Sequence, residues 1–312
     1  MTSTVQIIIG FILLIAGGEG LVRGASSIAL RLGIPSIVVG LTIMALGTSA
    51  PELAVSIKAS MSGNPEIAMG NIIGSNIFNI LFILGLSSLI IPLKINLSII
   101  KKEIPFLIFI TFLFYGFLWD QKLAKYEAVF LIGLCISYTY LLVKNALKET
   151  KGKELNEGVK PSLLINSILI LVGLVSVIYG AKFLVLGTSE VARSLGVSET
   201  IIGLTIVACG TSLPEVIASV MAAIRGKGDL AIGNVVGSNL YNILAIGGVS
   251  GVVTESALVV SNELVRIDFP VMLGATIICY PLFRSDRTLT RPEGVILVIL
   301  FISYLSFRYS IS

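Results

Sequence analysis

Apolar stretches of about 20 residues, the length a helix needs to cross a bilayer, follow one another along almost the whole chain. Ten such stretches can be drawn, over 5–29, 34–59, 67–91, 103–119, 125–146, 162–188, 197–223, 230–251, 264–283 and 291–310. Only 13% of the 312 residues are charged and 55% are hydrophobic, with a mean hydropathy of +0.99. Soluble domains carry about 25% charged residues, so this chain has too little polar surface to enclose a soluble core. The expected fold is an all-α membrane protein with ten transmembrane helices. Residues 5–16 run on into further apolar sequence without a small-residue cleavage site, so no cleaved signal is expected.

The chain is written twice. Gly17, Gly24, Gly33, Gly40, Gly47, Gly70 and Gly74 recur 163 positions later as Gly180, Gly187, Gly196, Gly203, Gly210, Gly233 and Gly237. The last stretches also match, at an offset of 166: YEA…ISY over 126–138 and PEG…ISY over 292–304. The most polar connection, KETKGKELNEGVK at 148–160, is the natural seam. The halves are read as 1–147 and 162–312, joined by a linker at 148–161. Five stretches per half is an odd number, so the second half must enter the membrane from the opposite face. The expected result is two inverted five-helix repeats, an arrangement that places substrate near the midplane on interrupted helices and suits alternating access.

Fifteen Lys and Arg fall on the linker's side and six on the other, with Lys182 inside a span. The positive-inside rule then puts 148–161 in the cytoplasm and both termini outside a multi-pass cell-membrane protein. No histidine is present, which removes histidine catalysis and histidine metal sites. Cys135, Cys209 and Cys279 lack metal-ligand spacing and are read as small buried hydrophobes. Basic residues are not interleaved with aromatics, so no nucleic-acid partner is expected. Glu19 and Lys182 stand at equivalent repeat positions and are read as snorkelling to the interface.

Two motifs carry the chemistry. GTSAPELAVS at 47–56 recurs as GTSLPEVIAS at 210–219. Each sets a glutamate, Glu52 or Glu215, inside an apolar stretch, where a carboxylate is costly unless paired. Thr48 lies one helical turn before Glu52, and Thr211 before Glu215, with Ser49 and Ser212 one step round. Pro51 and Pro214 are expected to kink or open the helix and to free carbonyls near Ala45 and Ala208. GNIIGSNIFNI at 70–80 recurs as GNVVGSNLYNI at 233–243. Asn71, Ser75 and Asn79 form one polar stripe, as do Asn234, Ser238 and Asn242, beside small-xxx-small glycines that allow close helix packing. Two carboxylates with neutral hydroxyl and amide oxygens form an all-oxygen shell for a hard cation such as Na⁺ or Ca²⁺. Without a thiolate or imidazole, soft metals are disfavoured.

GTSxPE paired with GNxxGSNxxN in both halves resembles the sodium/calcium exchanger family of the cation/calcium antiporter superfamily, over nearly the whole chain. The resemblance implies a secondary antiporter, not an enzyme, that needs no cofactor and takes Na⁺ and Ca²⁺ as substrates at three to one. It implies that Glu52 and Glu215 bridge the ion sites, with Thr48 and Thr211 at calcium. Ser49, Ser212, Ser75, Ser238 and the carbonyls of Ala45 and Ala208 serve sodium, and Asn79 and Asn242 take the central position. Some relatives have Asp where this chain has Asn242, which argues against potassium dependence here. The proton/calcium branch, the alternative reading, usually carries GNxxE-type motifs. The linker is too short for a calcium-sensing insert, and a monomer in lipid is the expected functional unit.

Overall fold

The structure, a computed structural model, describes residues 2–150, 162–196, 208–255 and 257–311. In chain order its helices are α1 (Ser3–Leu32), α2 (Ser36–Thr48), α3 (Ala50–Met61), α4 (Pro65–Ile90), α5 (Ile99–Asp120), α6 (Lys125–Glu149), α7 (Leu163–Ser194), α8 (Ala208–Thr211), α9 (Leu213–Ile224), α10 (Gly228–Val253), α11 (Leu264–Arg284) and α12 (Arg291–Ile311). Among the described residues, eight helices are long and apolar enough to cross a membrane, and the bent pair α2–α3 makes a ninth. The expected stretch 197–223 begins outside the described residues, and only α8 and α9 of it are seen. Most of the 148–161 linker also lies outside them.

The centre of the molecule is built from α4 and α10. The most apolar window of α10 is 83% buried and that of α4 is 72%, against 17% for α6 and for α12. Helices that are apolar or small on all sides belong inside, while one-sided ones keep a flank for lipid. α12 packs on α4 and α6 packs on α10, so each half lays its last helix on the other half's central one. Among the described residues, four two-residue strands tie helix ends together, a feature not expected from the sequence. β1 (Leu93–Lys94) pairs antiparallel with β4 (Thr288–Leu289), and β2 (Lys122–Leu123) with β3 (Leu258–Val259).

α1 and α7 run antiparallel in close contact, and glycines permit it. A methyl group on Gly17 would sit 2.7 Å from the Gly173 carbonyl oxygen, and one on Gly24 would sit 2.9 Å from that of Asn166. The pair meets the rest of the bundle where Gly18 of α1 lies against Ile217 and Met221 of α9. Glu19 does more than snorkel. It is paired with Arg23 one turn on, and it accepts a 2.7 Å hydrogen bond from Arg225 at the end of α9. An ion pair across two helices holds the carboxylate where an arginine is within reach.

The cysteines divide. Cys279 is buried and Cys135 half-buried, but Cys209 is exposed among the described residues. Cys209 lies on the one-turn helix α8, directly after residues outside the description, so the expectation of a buried hydrophobe does not hold for it.

Candidate ion-binding site

The repeated prolines do not kink a continuous helix. They start a new one. α2 ends at Thr48 and α3 begins at Ala50, with a 45° bend between them. Ser49 occupies the joint at φ −81°, ψ 7°, and Ser212 occupies the equivalent joint between α8 and α9 at φ −89°, ψ 3°. Pro51 and Pro214 then stand in the first turn of the second helix, where a missing N–H costs nothing. Glu52 and Glu215 follow in the same first turn. Helix N-termini favour negative charge, so the break itself makes a place for each carboxylate. Both glutamates are 1% exposed.

The two breaks meet, and they exchange partners. The Ser49 hydroxyl donates to Glu215 Oε1 at 2.9 Å, and the Ser212 hydroxyl donates to Glu52 Oε1 at 3.0 Å. These crossed bonds gather both carboxylates at the two breaks, and Thr211 and Thr48 stand beside Glu52 and Glu215 respectively. The other oxygens, Glu52 Oε2 and Glu215 Oε2, are buried without a hydrogen-bond partner among the described residues. Among the described residues no group of three or more acidic, cysteine or histidine side chains gathers, so neutral oxygens complete any shell here.

The second motif supplies them from α4 and α10. Ser75 meets Ser212 at 3.4 Å. Asn79 and Asn242, each 1% exposed, sit at the start of π-helical segments, Phe78–Leu84 and Asn242–Gly247. Such segments break the regular phase of a helix and recur at functional sites. Asn79 Oδ1, Asn242 Oδ1 and the Ser238 hydroxyl are buried without a partner among the described residues. Asn71 and Asn234 are tied elsewhere: Asn71 donates to Ser56 at 2.9 Å and to the Glu52 carbonyl at 3.1 Å, and Asn234 donates to Ser219 at 3.0 Å. They brace the glutamate helices, and Asn234 also accepts from the Thr48 hydroxyl at 3.2 Å.

The Ala45 carbonyl is not freed. It accepts the Ser49 N–H at 3.1 Å and the Thr48 hydroxyl at 3.4 Å. Proline at position 51 removes the donor from the carbonyl four residues back, which is that of Gly47 rather than Ala45. Ala208 opens α8 at the edge of the described residues. Two residues were not singled out from the sequence, Asn76 and Asn239. Asn79 donates to Asn239 Oδ1 at 2.9 Å, and Asn242 donates to Asn76 Oδ1 at 3.3 Å. Both lie within the repeated motif but off the four-residue stripe, and their duplication was the signal available.

The glycines of this motif are packed unequally among the described residues. A methyl on Gly237 would meet the Ala45 side chain at 2.7 Å, and one on Gly233 the Ile37 carbonyl at 2.7 Å. Gly70 and Gly74 have nothing within 4 Å.

The likeness to known proteins covers this whole arrangement. The family described as sodium/calcium exchanger protein matches residues 2–144 and 165–310. The sodium/calcium exchanger MaX1 of Methanosarcina acetivorans is 31% identical over 96% of this chain and 96% of its own. The inner membrane protein YrbG of Escherichia coli is 30% identical over 100% and 98%. A solved structure of the sodium-calcium exchanger NCX_Mj superposes with a TM-score of 0.86 at 32% identity, covering 97% of this chain and 98% of that one. With the family matched over nearly the whole chain and the fold matched over 97% of it, this chain belongs to the sodium/calcium exchanger protein family, which comprises secondary transporters rather than enzymes.

Proposed function

We propose that this chain exchanges Na⁺ for Ca²⁺ across the membrane, with the cross-paired glutamates as the shared cation site. The observation that carries this reading is a set of four buried acceptor oxygens without a hydrogen-bond donor among the described residues: Glu52 Oε2, Glu215 Oε2, Asn79 Oδ1 and Asn242 Oδ1. A buried acceptor left unpaired costs about 1–3 kcal/mol, more if charged. Hard cations take oxygen ligands of this kind, so bound ions would satisfy these acceptors. Glu52 and Glu215 bridge the ions, with Thr48 and Thr211 at calcium and Asn79 and Asn242 central. Ser49, Ser212, Ser75, Ser238 and the Ala208 carbonyl serve sodium, while the Ala45 carbonyl, already accepting two hydrogen bonds, is left out of the set.

Ten helices in two inverted repeats, 1–147 and 162–312 about the linker 148–161, underlie this site. Support comes from contacts that recur with the halves' roles exchanged. Ser49 to Glu215 becomes Ser212 to Glu52, and Asn79 to Asn239 becomes Asn242 to Asn76. A two-fold axis in the membrane plane produces such reciprocity. The linker is cytoplasmic and both termini are outside. All donors come from one chain, so a monomer suffices.

Two ionised carboxylates this close repel unless a cation lies between them. The carrier without ions therefore resists changing sides, which makes exchange, rather than leak, the permitted cycle. Three Na⁺ for one Ca²⁺ moves one net charge. With tenfold gradients worth about 1.4 kcal/mol per ion and about 2.3 kcal/mol per charge per 100 mV, the driving force is about 6–7 kcal/mol. Electroneutral two-for-one exchange would have about 3 kcal/mol.

The test is radiolabelled calcium flux in proteoliposomes with Na⁺, K⁺ and H⁺ gradients imposed one at a time. Flux should follow the sodium gradient and respond to membrane potential. Flux driven by a pH gradient with sodium absent would instead support proton/calcium antiport. Ser49→Ala and Ser212→Ala should each weaken apparent cation affinity about tenfold or more, since a hydrogen bond to a charged group is worth about 1.5–3 kcal/mol. Similar losses for the two variants are expected from their matching bonds, measured by the same flux assay.

A further inference from the structure

The central amides depend on a second pair of asparagines. An amide has two different ends, a donor NH₂ and an acceptor oxygen, and it serves a cation only with the oxygen forward. Asn79 and Asn242 each have an Oδ1 without a partner and an Nδ2 that is held. Asn79 Nδ2 is held by Asn239 Oδ1 at 2.9 Å, and Asn242 Nδ2 by Asn76 Oδ1 at 3.3 Å. The supports are fixed in turn. Asn239 Nδ2 donates to the Asn76 backbone carbonyl at 3.3 Å, and Asn76 Nδ2 lies 3.5 Å from Met272 Sδ on α11. All four asparagines are buried to 1% exposure. Each support comes from the opposite half to the amide it holds, so the lattice also pins α4 to α10.

We infer that Asn76 and Asn239 are positioning residues that lock the Asn242 and Asn79 amides with their oxygens toward the transported cation. This rests on the cation site proposed above. With the support gone, nothing favours the oxygen-forward orientation over the reverse. The reversed amide presents hydrogens to the ion and repels it. Partners that orient metal ligands typically matter by about 10- to 100-fold in affinity when removed.

The test is a double-mutant cycle between Asn79 and Asn239, read as apparent Ca²⁺ affinity by radiolabelled calcium binding to purified protein and as KM and kcat of calcium uptake. Asn239→Leu keeps the volume and removes the acceptor. It should weaken Ca²⁺ binding about 10- to 100-fold, mainly as a raised KM. In an Asn79→Leu background, where no amide remains to be oriented, the same Asn239→Leu change should alter affinity by less than about twofold, because coupled sites are non-additive. A residue that only packs α10 would cost the same factor in both backgrounds, and that result would overturn the assignment. Asn76→Leu in an Asn242→Leu background repeats the cycle at the equivalent place and keeps the test open should one variant fail to fold. Native protein that binds no Ca²⁺ would defeat the cation site itself. Native binding with an Asn239→Leu affinity left unchanged would defeat the positioning role alone.

Discussion

Glu52→Gln and Glu215→Gln should each abolish sodium-driven calcium uptake in proteoliposomes, by at least about 100-fold, while leaving a folded protein. Breaking a buried charge pair by removing one partner costs about 3–5 kcal/mol, which is more than 100-fold in an equilibrium. Here the partner is a transported ion, so the loss falls on binding rather than on folding. Glutamine keeps an oxygen to accept the serine hydroxyl from the other half, which Glu52 takes from Ser212 and Glu215 from Ser49. It also removes one of two like charges buried side by side, which relieves repulsion in the ion-free state. Two readouts therefore separate. Melting in the absence of Ca²⁺ and Na⁺ should be unchanged or raised in the variants. The rise in melting temperature that a native-state ligand produces should be present in the parent and absent in both variants. Normal exchange by either variant would refute the shared-site reading.

Gly237→Val should lose both stability and transport. A methyl at Gly237 would already lie 2.7 Å from the Ala45 side chain and 2.8 Å from the Leu41 Cα and carbonyl oxygen. Two of those three contacts are backbone, which cannot rotate away. Overpacking a filled interior costs about 1–3 kcal/mol and sometimes more. The displaced element would be α2, whose Thr48 bonds to Asn234 of α10. Pushing α2 off α10 moves the Ser49 joint and with it the hydroxyl that holds Glu215. Melting temperature and calcium uptake should fall together. Gly116→Ala and Gly274→Ala, where no atom of the described residues lies within 4 Å of the added carbon, are the matched controls. They should be neutral or slightly stabilising, since a helix-interior glycine is worth roughly 0.5–1 kcal/mol less than alanine. Equal loss in the controls would mean that close α2–α10 approach is not the cause.

How far the site could be read in advance follows from the range of the forces involved. Glu52 and Glu215 declared themselves because hydrocarbon penalises a carboxylate wherever the rest of the chain lies. The glycine repeat was legible because close helix contact excludes a side chain, as at Gly17 and Gly24 against α7. Pro51 was read correctly as an interruption but not as a helix start. That distinction depends on whether Ser49 leaves helical geometry, which the meeting of the two breaks decides. Asn76 and Asn239 were missed because a regular helix places them off the stripe through Asn71, Ser75 and Asn79. The π-helical turns beginning at Phe78 and Asn242 then change the phase at the central amides. The Glu19–Arg225 pair joins residues 206 positions apart and has no local signature.

Local composition, then, was enough to establish a helical membrane protein, and local spacing to pick out repeated glycine motifs and two acids among hydroxyls. Each of these is a transfer or spacing property felt within a turn or two of helix. Only the folded molecule decided that Ser49 and Ser212 would each serve the other half's glutamate and that each central amide would be held by an asparagine from across the bundle. Those pairings depend on how two broken helices and two central ones cross, and crossing is set by the packing of the whole molecule rather than by any single segment.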